Sequence, residues 1–308
     1  MSTFDRTTII RGPAKITYDS QVFYSKGAVT LTFTNSSFEK TADAYGLVGR
    51  GKTDFQAVVE FEPAGEIEAL TVLFPYASTA MGADIYGSTD KPLVITAVDS
   101  TWTIKNAAVT QMPSIRCTAQ NTAFGSVQFT GLLDKTGGDP AAEASYFTRG
   151  AGAAINGANF NPALILAGNY GMVLDSIGNA FSSEAGFDIS FETAFSPKFV
   201  DGFGTVGMSL TNVGGSISCI PVGVAQDEFD YLLSGFAIGG DLVSDAVIIQ
   251  DTEDTLGTLV FECQAQLADA QSRFSASESR VGALNLNLIR TFTSAGPNPL
   301  FAISAAEA

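Results

Sequence analysis

The chain has 308 residues, 45% of them hydrophobic, and carries 16 Lys and Arg against 32 Asp and Glu, a net charge of −16. That length and apolar content suit one or two globular domains, while the acidic surplus argues against a surface that grips nucleic acid or anionic membrane through clustered Lys and Arg. Histidine is absent, which removes the side chain most used for proton transfer near neutral pH and with it any Ser-His-Asp arrangement.

Met1 to Gly12 has charges at Asp5, Arg6 and Arg11 and no apolar run of the secretory type, so synthesis in the cytosol is expected. Pro13-Ala14-Lys15-Ile16 and Val22-Phe23-Tyr24 then open the first strand-like segments. Gly46-Leu47-Val48-Gly49-Arg50-Gly51-Lys52-Thr53 fits the nucleotide-binding pattern G-x-x-x-x-G-K-[ST]. That pattern works where backbone N–H groups wrap phosphates between a buried strand and a helix N-terminus. Here Ser36 to Tyr45 is polar and charged, and Asp54 to Glu62 alternates, with Phe55, Ala57, Val59 and Phe61 on one face. Asn35 to Thr53 therefore reads as a long loop between strands, and nucleotide binding remains an alternative.

Beyond Pro63-Ala64-Gly65, Ile67, Leu70 and Phe74 recur at helical spacing until Pro75 stops the helix, a stripe that reads as core packing. Leu93 to Val98 followed by Asp99 is a loose Walker-B candidate, although apolar runs ending in Asp are common. Trp102 reads as a core or interface anchor, and Val127 and Phe129 alternate as a strand. Asp134 to Asn161, rich in Gly, Ala and Asn, with turn signals at Gly137-Gly138 and Asp139-Pro140, reads as a linker or extended arm. Asn and Gly interrupt the richest apolar stretch, Ala151 to Leu174, so no membrane span is expected. Cys117, Cys219 and Cys263 are odd in number and widely spaced, which favours reduced, buried thiols.

The later chain repeats these landmarks. Gly204-Thr205-Val206-Gly207 lies 158 positions after Gly46-Leu47-Val48-Gly49, and Pro221-Val222-Gly223 lies 158 after Pro63-Ala64-Gly65. Thr258 to Leu286 aligns with Thr101 to Phe129 at 157 without a gap, matching Arg273 to Arg116 and Gly282 to Gly125. Looser matches join Pro162 to Ile165 with Pro13 to Ile16, and Ile238 to Leu242 with Met81 to Ile85. Gly186, Asp188, Ile189 and Phe191 similarly match Gly27, Val29, Leu31 and Phe33. The second copy lacks Gly-Lys-Thr, as expected if the glycines serve a turn. Phe229, Leu232, Leu233 and Phe236 form a second amphipathic helix, and Leu284, Leu286 and Leu288 alternate as a strand.

The expected fold is thus mainly β: two tandem domains, 1–150 with a C-terminal linker arm and 151–308, each a sandwich or barrel with one flanking α-helix. Residues 1–150 have a net charge of −3 and residues 151–308 one of −13. Asp227, Glu228 and Asp230 suit the start of the second helix. Asp251, Glu253 and Asp254 lack the spacing of a calcium loop and read as a solvated or lumen-facing group. No catalytic residue, metal or cofactor is expected.

The order of landmarks resembles that of phage tail tube proteins. It runs from the Gly-Pro-Ala-x-Ile strand at Gly12, through the long segment Asn35 to Thr53 and Pro63-Ala64-Gly65 with its single helix, to the closing strand Phe124-Gly125-Ser126-Val127-Gln128-Phe129. The duplication resembles the two-domain tube proteins of long flexible-tailed phages. This resemblance implies that three chains form a pseudo-hexameric ring and that rings stack into the tail tube, a conduit for DNA delivery. The implied partners are the chain itself, a tape measure protein and tail-end proteins, with double-stranded DNA passing unbound and no membrane contact. The implied location is the virion tail, after the host cytoplasm. Gly46, Val48, Gly49, Pro63, Gly65 and Gly125, with their counterparts Gly204, Val206, Gly207, Pro221, Gly223 and Gly282, are the repeated structural landmarks. Asn35 to Thr53 and Thr193 to Leu210 are expected to make stacking contacts, and Asp134 to Asn161 to link domains along the ring. The alternatives are a tail-completion or capsid-decoration protein and, third, a nucleotide-binding protein.

Overall fold

A computed structural model describes residues 6–118, 122–155, 168–175, 177–178, 180–222, 244–253, 257–274, 279–294 and 296–306. Its first half contains β1 (Arg6–Ile10), β2 (Lys15–Tyr18), β3 (Gln21–Ser25), β4 (Val29–Ala42), β5 (Gly46–Phe61) and β6 (Pro63–Ala64). One helical turn, α1 (Ile67–Leu70), continues as a 3-10 turn, Thr71–Leu73. Then come β7 (Leu93–Thr96), β8 (Ser100–Ile104), β9 (Asn106–Gln111), β10 (Ile115–Cys117), β11 (Thr122–Phe124), β12 (Val127–Leu132) and β13 (Phe147–Ala151). Two antiparallel sheets result, in the orders β1-β4-β5-β12-β9 and β13-β8-β7-β2-β3-β6. Period-2 burial explains why they pack together. Leu31, Val59, Val127 and Phe129 from the first and Ile16, Phe23, Ile95 and Ile104 from the second are all buried in one core. Ring pairs Tyr18–Phe129 (4.8 Å) and Phe33–Phe147 (4.3 Å) join the two layers.

The second half contains β14 (Tyr170–Leu174), β15 (Ser182–Ser183), β16 (Phe187–Val200), β17 (Gly204–Cys219), β18 (Pro221–Val222) and β19 (Ser244–Asp251). It ends with β20 (Leu259–Phe274), β21 (Ser279–Ile289), the β22–β23 hairpin (Phe292–Thr293 and Gly296–Pro297) and β24 (Phe301–Ala305). Pairings recur at the sequence offset: Ser25↔Pro63 and Ser183↔Pro221 are related by 158, as are Phe33↔Ala57 and Phe191↔Gly215. One difference is continuity. β20 runs unbroken where β8 and β9 are separate, and most of the second half lies in one nine-stranded sheet, β11-β10-β16-β17-β21-β20-β19-β14 with β24 on β20, which the first half's β10 and β11 extend.

The two long hairpins, β4–β5 and β16–β17, explain the repeated glycines. The Tyr45 N–H donates to Ala42 O at 3.0 Å and the Phe203 N–H to Val200 O at 3.0 Å, each followed by a glycine at positive φ, Gly46 (69°) and Gly204 (77°). Three residues connect the paired positions Ala42↔Gly46 and Val200↔Gly204, and glycine takes the left-handed position that follows each connection without strain. Gly49 then faces Lys40 and Gly207 faces Lys198, while Leu47 faces Thr41 and Thr205 faces Phe199, so Val48 and Val206 are the extra residues of matching bulges. A second pair of matching bulges falls between Ser36 and Ser37 and between Ala194 and Phe195.

Several expectations are corrected. Asn35 to Thr53 is a hairpin arm rather than a loop, because a ladder of backbone pairs runs from Asn35↔Phe55 to Ala42↔Gly46. Asp134 to Asn161 is not wholly a linker: Phe147–Ala151 pairs with β8, with Phe147 facing Ile104 and Arg149 facing Trp102, and residues 156–161 lie outside the described residues. Phe187, not Asp188, is the counterpart of Val29, since Asp188 points outward and Phe187 inward. Asp251 is buried, accepting the Asn169 N–H at 2.7 Å, and so is not part of a solvated group. The helix at Phe229 to Phe236, Gly223, Asp227, Glu228, Asp230, Asp254 and the matches at 162–165 and 238–242 lie outside the described residues.

Candidate assembly surfaces

The two halves meet through a reciprocal junction. On one side, the segment after α1 reaches the second arm. Phe74 is buried against Phe191 (ring centroids 5.3 Å), Phe301 (6.3 Å) and Phe124 (6.3 Å), and Tyr76 packs edge-on against Phe195 at 5.6 Å. Proline at 75 ends the helix, which sends the backbone along β17: the Gly82 N–H donates to Leu210 O (2.7 Å), the Leu210 N–H to Ala83 O (3.0 Å) and the Ile85 N–H to Met208 O (3.0 Å). Lys198 Nζ lies 3.3 Å from an Asp84 carboxylate oxygen.

Asp54 fastens the second arm to the first half. Its Oδ1 accepts the Thr205 N–H at 2.9 Å and its Oδ2 accepts the Thr205 hydroxyl at 2.9 Å and Gln56 Nε2 at 3.0 Å. Hydrogen bonds to a carboxylate are stronger than neutral ones. Further along the arm, the Thr193 hydroxyl donates to Thr110 O at 2.9 Å.

On the other side of the junction, β10 leaves the first half and extends the second. Ile115 pairs with Ile189, Arg116 with Asp188 and Cys117 with Phe187. Ile115 and Cys117 face the core, and Arg116 faces outward, 3.5 Å from Asp188. Burial, helped by the Asp188 charge, pushes the Cys117 thiol far above the ordinary thiol range. Gly125 sits where β11 turns into β12, its N–H donating to Ser114 O at 2.8 Å; a Cβ there would meet the Ser114 hydroxyl at 2.4 Å.

No protein-family model matches the chain, and no curated protein does. The function rests on geometry.

Among the described residues there is no group of three or more His, Cys, Asp or Glu able to hold a metal ion. No described helix is long and apolar enough to cross a membrane. The phosphate-loop alternative lacks the geometry it needs: Gly46 to Thr53 is part of β5, which runs on as strand to Phe61 where the motif calls for a helix. Lys52 Nζ lies 4.2 Å from the Phe55 ring centroid, a cation–π contact. Leu93–Thr96 is an inner strand of the second sheet, with Leu93 and Ile95 in the core, and Trp102 is buried against Phe33 and Phe147.

The far end of each arm carries exposed apolar side chains. Tyr45 is 85% exposed, Leu47 53% and Val48 58%, and Phe38, opposite Gly51 further down the same arm, is also exposed; Phe199, Val200 and Phe203 are exposed on the second arm. The outward faces of the sheets are different in character. Glu60, Asp188, Ser190, Glu192, Ser218, Glu262 and Asn287 are all exposed there, and Arg116 lies 3.5 Å from Asp188. Sequence reading found the arms' glycines but not Asp54, Thr205 or β10. Their partners lie about 70 to 150 positions away, and only the repeated Arg116/Arg273 match hinted at β10.

Proposed function

We propose that this protein is a self-assembling structural subunit of a phage tail tube, forming rings that stack into a hollow conduit for DNA. The observation that carries this reading is the reciprocal junction between halves built on one repeated frame. In that junction the second arm lies on the first half while the first half's β10 extends the second half's sheet. The same operation applied between chains would seat the first arm, with its exposed Tyr45, Leu47 and Val48, on the second half of a neighbour. Such a contact is heterologous, so it closes into a ring or runs on as a filament. Three chains then present six related units, the pseudo-hexameric ring implied by the resemblance.

The electrostatics support a conduit rather than a grip. Clustered Lys and Arg would hold the duplex through its phosphates, whereas the outward sheet faces carry carboxylates, hydroxyls and amides, and the chain has a net charge of −16. A wall of that character repels the duplex along its whole length. Exposed apolar patches of the arm tips suit ring-to-ring or chain-to-chain contact.

The test is a doubly charged first arm. Leu47→Asp with Val48→Asp alters only exposed side chains, so the subunit folds, with wild-type far-UV circular dichroism, but sediments as small species at concentrations where the wild type polymerises. Unchanged polymer from this variant would contradict the reading.

A further inference from the structure

β1 lies antiparallel on the outer edge of β4, with Ile10 opposite Val29, Ile9 opposite Thr30 and Thr8 opposite Leu31. On the corresponding edge of β16, Cys117 lies opposite Phe187, Arg116 opposite Asp188 and Ile115 opposite Ile189. Val29, Thr30 and Leu31 are the counterparts of Phe187, Asp188 and Ile189 at the offset of 158. The chain's own β1 therefore stands where β10 stands in the other half.

The true counterpart of β10 is elsewhere. In the β10–β11 hairpin, Ile115 pairs with Phe124, Arg116 with Ala123 and Cys117 with Thr122. At the far end of β20–β21, Ser272 pairs with Val281, Arg273 with Arg280 and Phe274 with Ser279, each position shifted by 157. The register is identical at all three pairs. Among the described strands, this end of β20 pairs with β21 alone, and its remaining edge is the one that β10 uses to extend β16.

We infer that the β4 edge is a docking strand for a second copy of this chain, whose Ser272 to Phe274 displaces β1 and pairs in the register Phe274 opposite Val29, Arg273 opposite Thr30 and Ser272 opposite Leu31. The inference rests on the head-to-tail reading above but requires neither a tube nor DNA. β1 is suited to leaving. Ile10 is 2% exposed and Ile9 68% exposed, so β1 holds its place on β4 with a single buried isoleucine. Exchanging one antiparallel strand for another conserves the backbone hydrogen bonds of the edge, so side chains decide the outcome. Until a neighbour arrives, β1 covers a strand edge that would otherwise template unwanted pairing.

Two disulfide variants test this. Ile9→Cys with Thr30→Cys joins directly opposed positions and locks β1 in place. The oxidised protein should fail to assemble and recover fully on reduction, which shows that the lock has not misfolded it. In a separate protein, Thr30→Cys with Arg273→Cys should give a ladder of disulfide-linked multimers on oxidation at rising concentration. Assembly of the locked protein at the wild-type rate, or the absence of a ladder, would overturn the inference. Ladders without hollow tubes would uphold it and remove the tail tube reading; tubes without ladders would do the reverse.

Discussion

Gly46 and Gly204 occupy the same turn position with nearly the same φ, 69° and 77°, yet their surroundings differ. A Cβ at Gly46 meets nothing within 4 Å, whereas one at Gly204 would lie 2.6 Å from Asp54 Oδ1 and 3.1 Å from Thr53 O. Gly46→Ala therefore carries only the left-handed backbone cost, roughly 1–2 kcal/mol. Gly204→Ala carries that same cost and also drives the Asp54 carboxylate off the Thr205 N–H and hydroxyl. A hydrogen bond to a charged group contributes about 1.5–3 kcal/mol, so losing even one of the two brings the total for Gly204→Ala to about 2.5–5 kcal/mol. Urea unfolding at a concentration below assembly measures both, as a lower midpoint with the slope unchanged. Equal losses from the two variants, or a larger loss from Gly46→Ala, would refute the argument that Asp54 fastens the second arm.

Phe74→Ala removes a buried ring from three aromatic contacts, two of them across the junction. It should cost about 3–5 kcal/mol, read as a markedly lower melting temperature by calorimetry; a loss below about 1 kcal/mol would show that the junction does not depend on it. Lys52→Ala gives up one cation–π contact worth about 0.5–1 kcal/mol, and neither it nor the wild type should give heat on titration with ATP or GTP; binding abolished by this substitution would restore the phosphate-loop alternative. Burial pushes the Cys219 and Cys263 thiols up to about 12 and Cys117 further in the same direction. The folded chain thus keeps protons that the unfolded chain releases, so stability is full below pH 9, the ordinary thiol range, and falls as pH rises from about 9 towards 12. At pH 8 a thiol reagent should label the native protein far more slowly than the unfolded one, and rapid native labelling would contradict the buried placement.

The parts of this fold that were legible in sequence are those with one apolar face. Phe55, Ala57, Val59 and Phe61 announced β5, and Leu284, Leu286 and Leu288 announced β21, because alternate residues enter the core. The outer arm has no such face: from Ser36 to Arg50 neither side of the hairpin enters the core, so its strands lack a period-2 signal and read as loop. Its glycines were nevertheless visible, since a left-handed turn restricts residue choice more sharply than an exposed strand does. The helix expected over Ile67 to Phe74 is one α turn, Ile67–Leu70, followed by one 3-10 turn, Thr71–Leu73, just before Pro75. Phe147–Ala151 was hidden in a stretch of small and turn-forming residues, where β8 supplies the order that composition does not. The junction itself joins Asp54 to Thr205 and Cys117 to Phe187, contacts that local pattern cannot express.

The most direct measurement is negative-stain microscopy of the purified protein together with its mass distribution in solution. Hollow tubes or stacked rings with six-lobed end views and three chains per ring are the expected result. A monodisperse monomer at every concentration would contradict the assembly account and favour a tail-completion or decoration role.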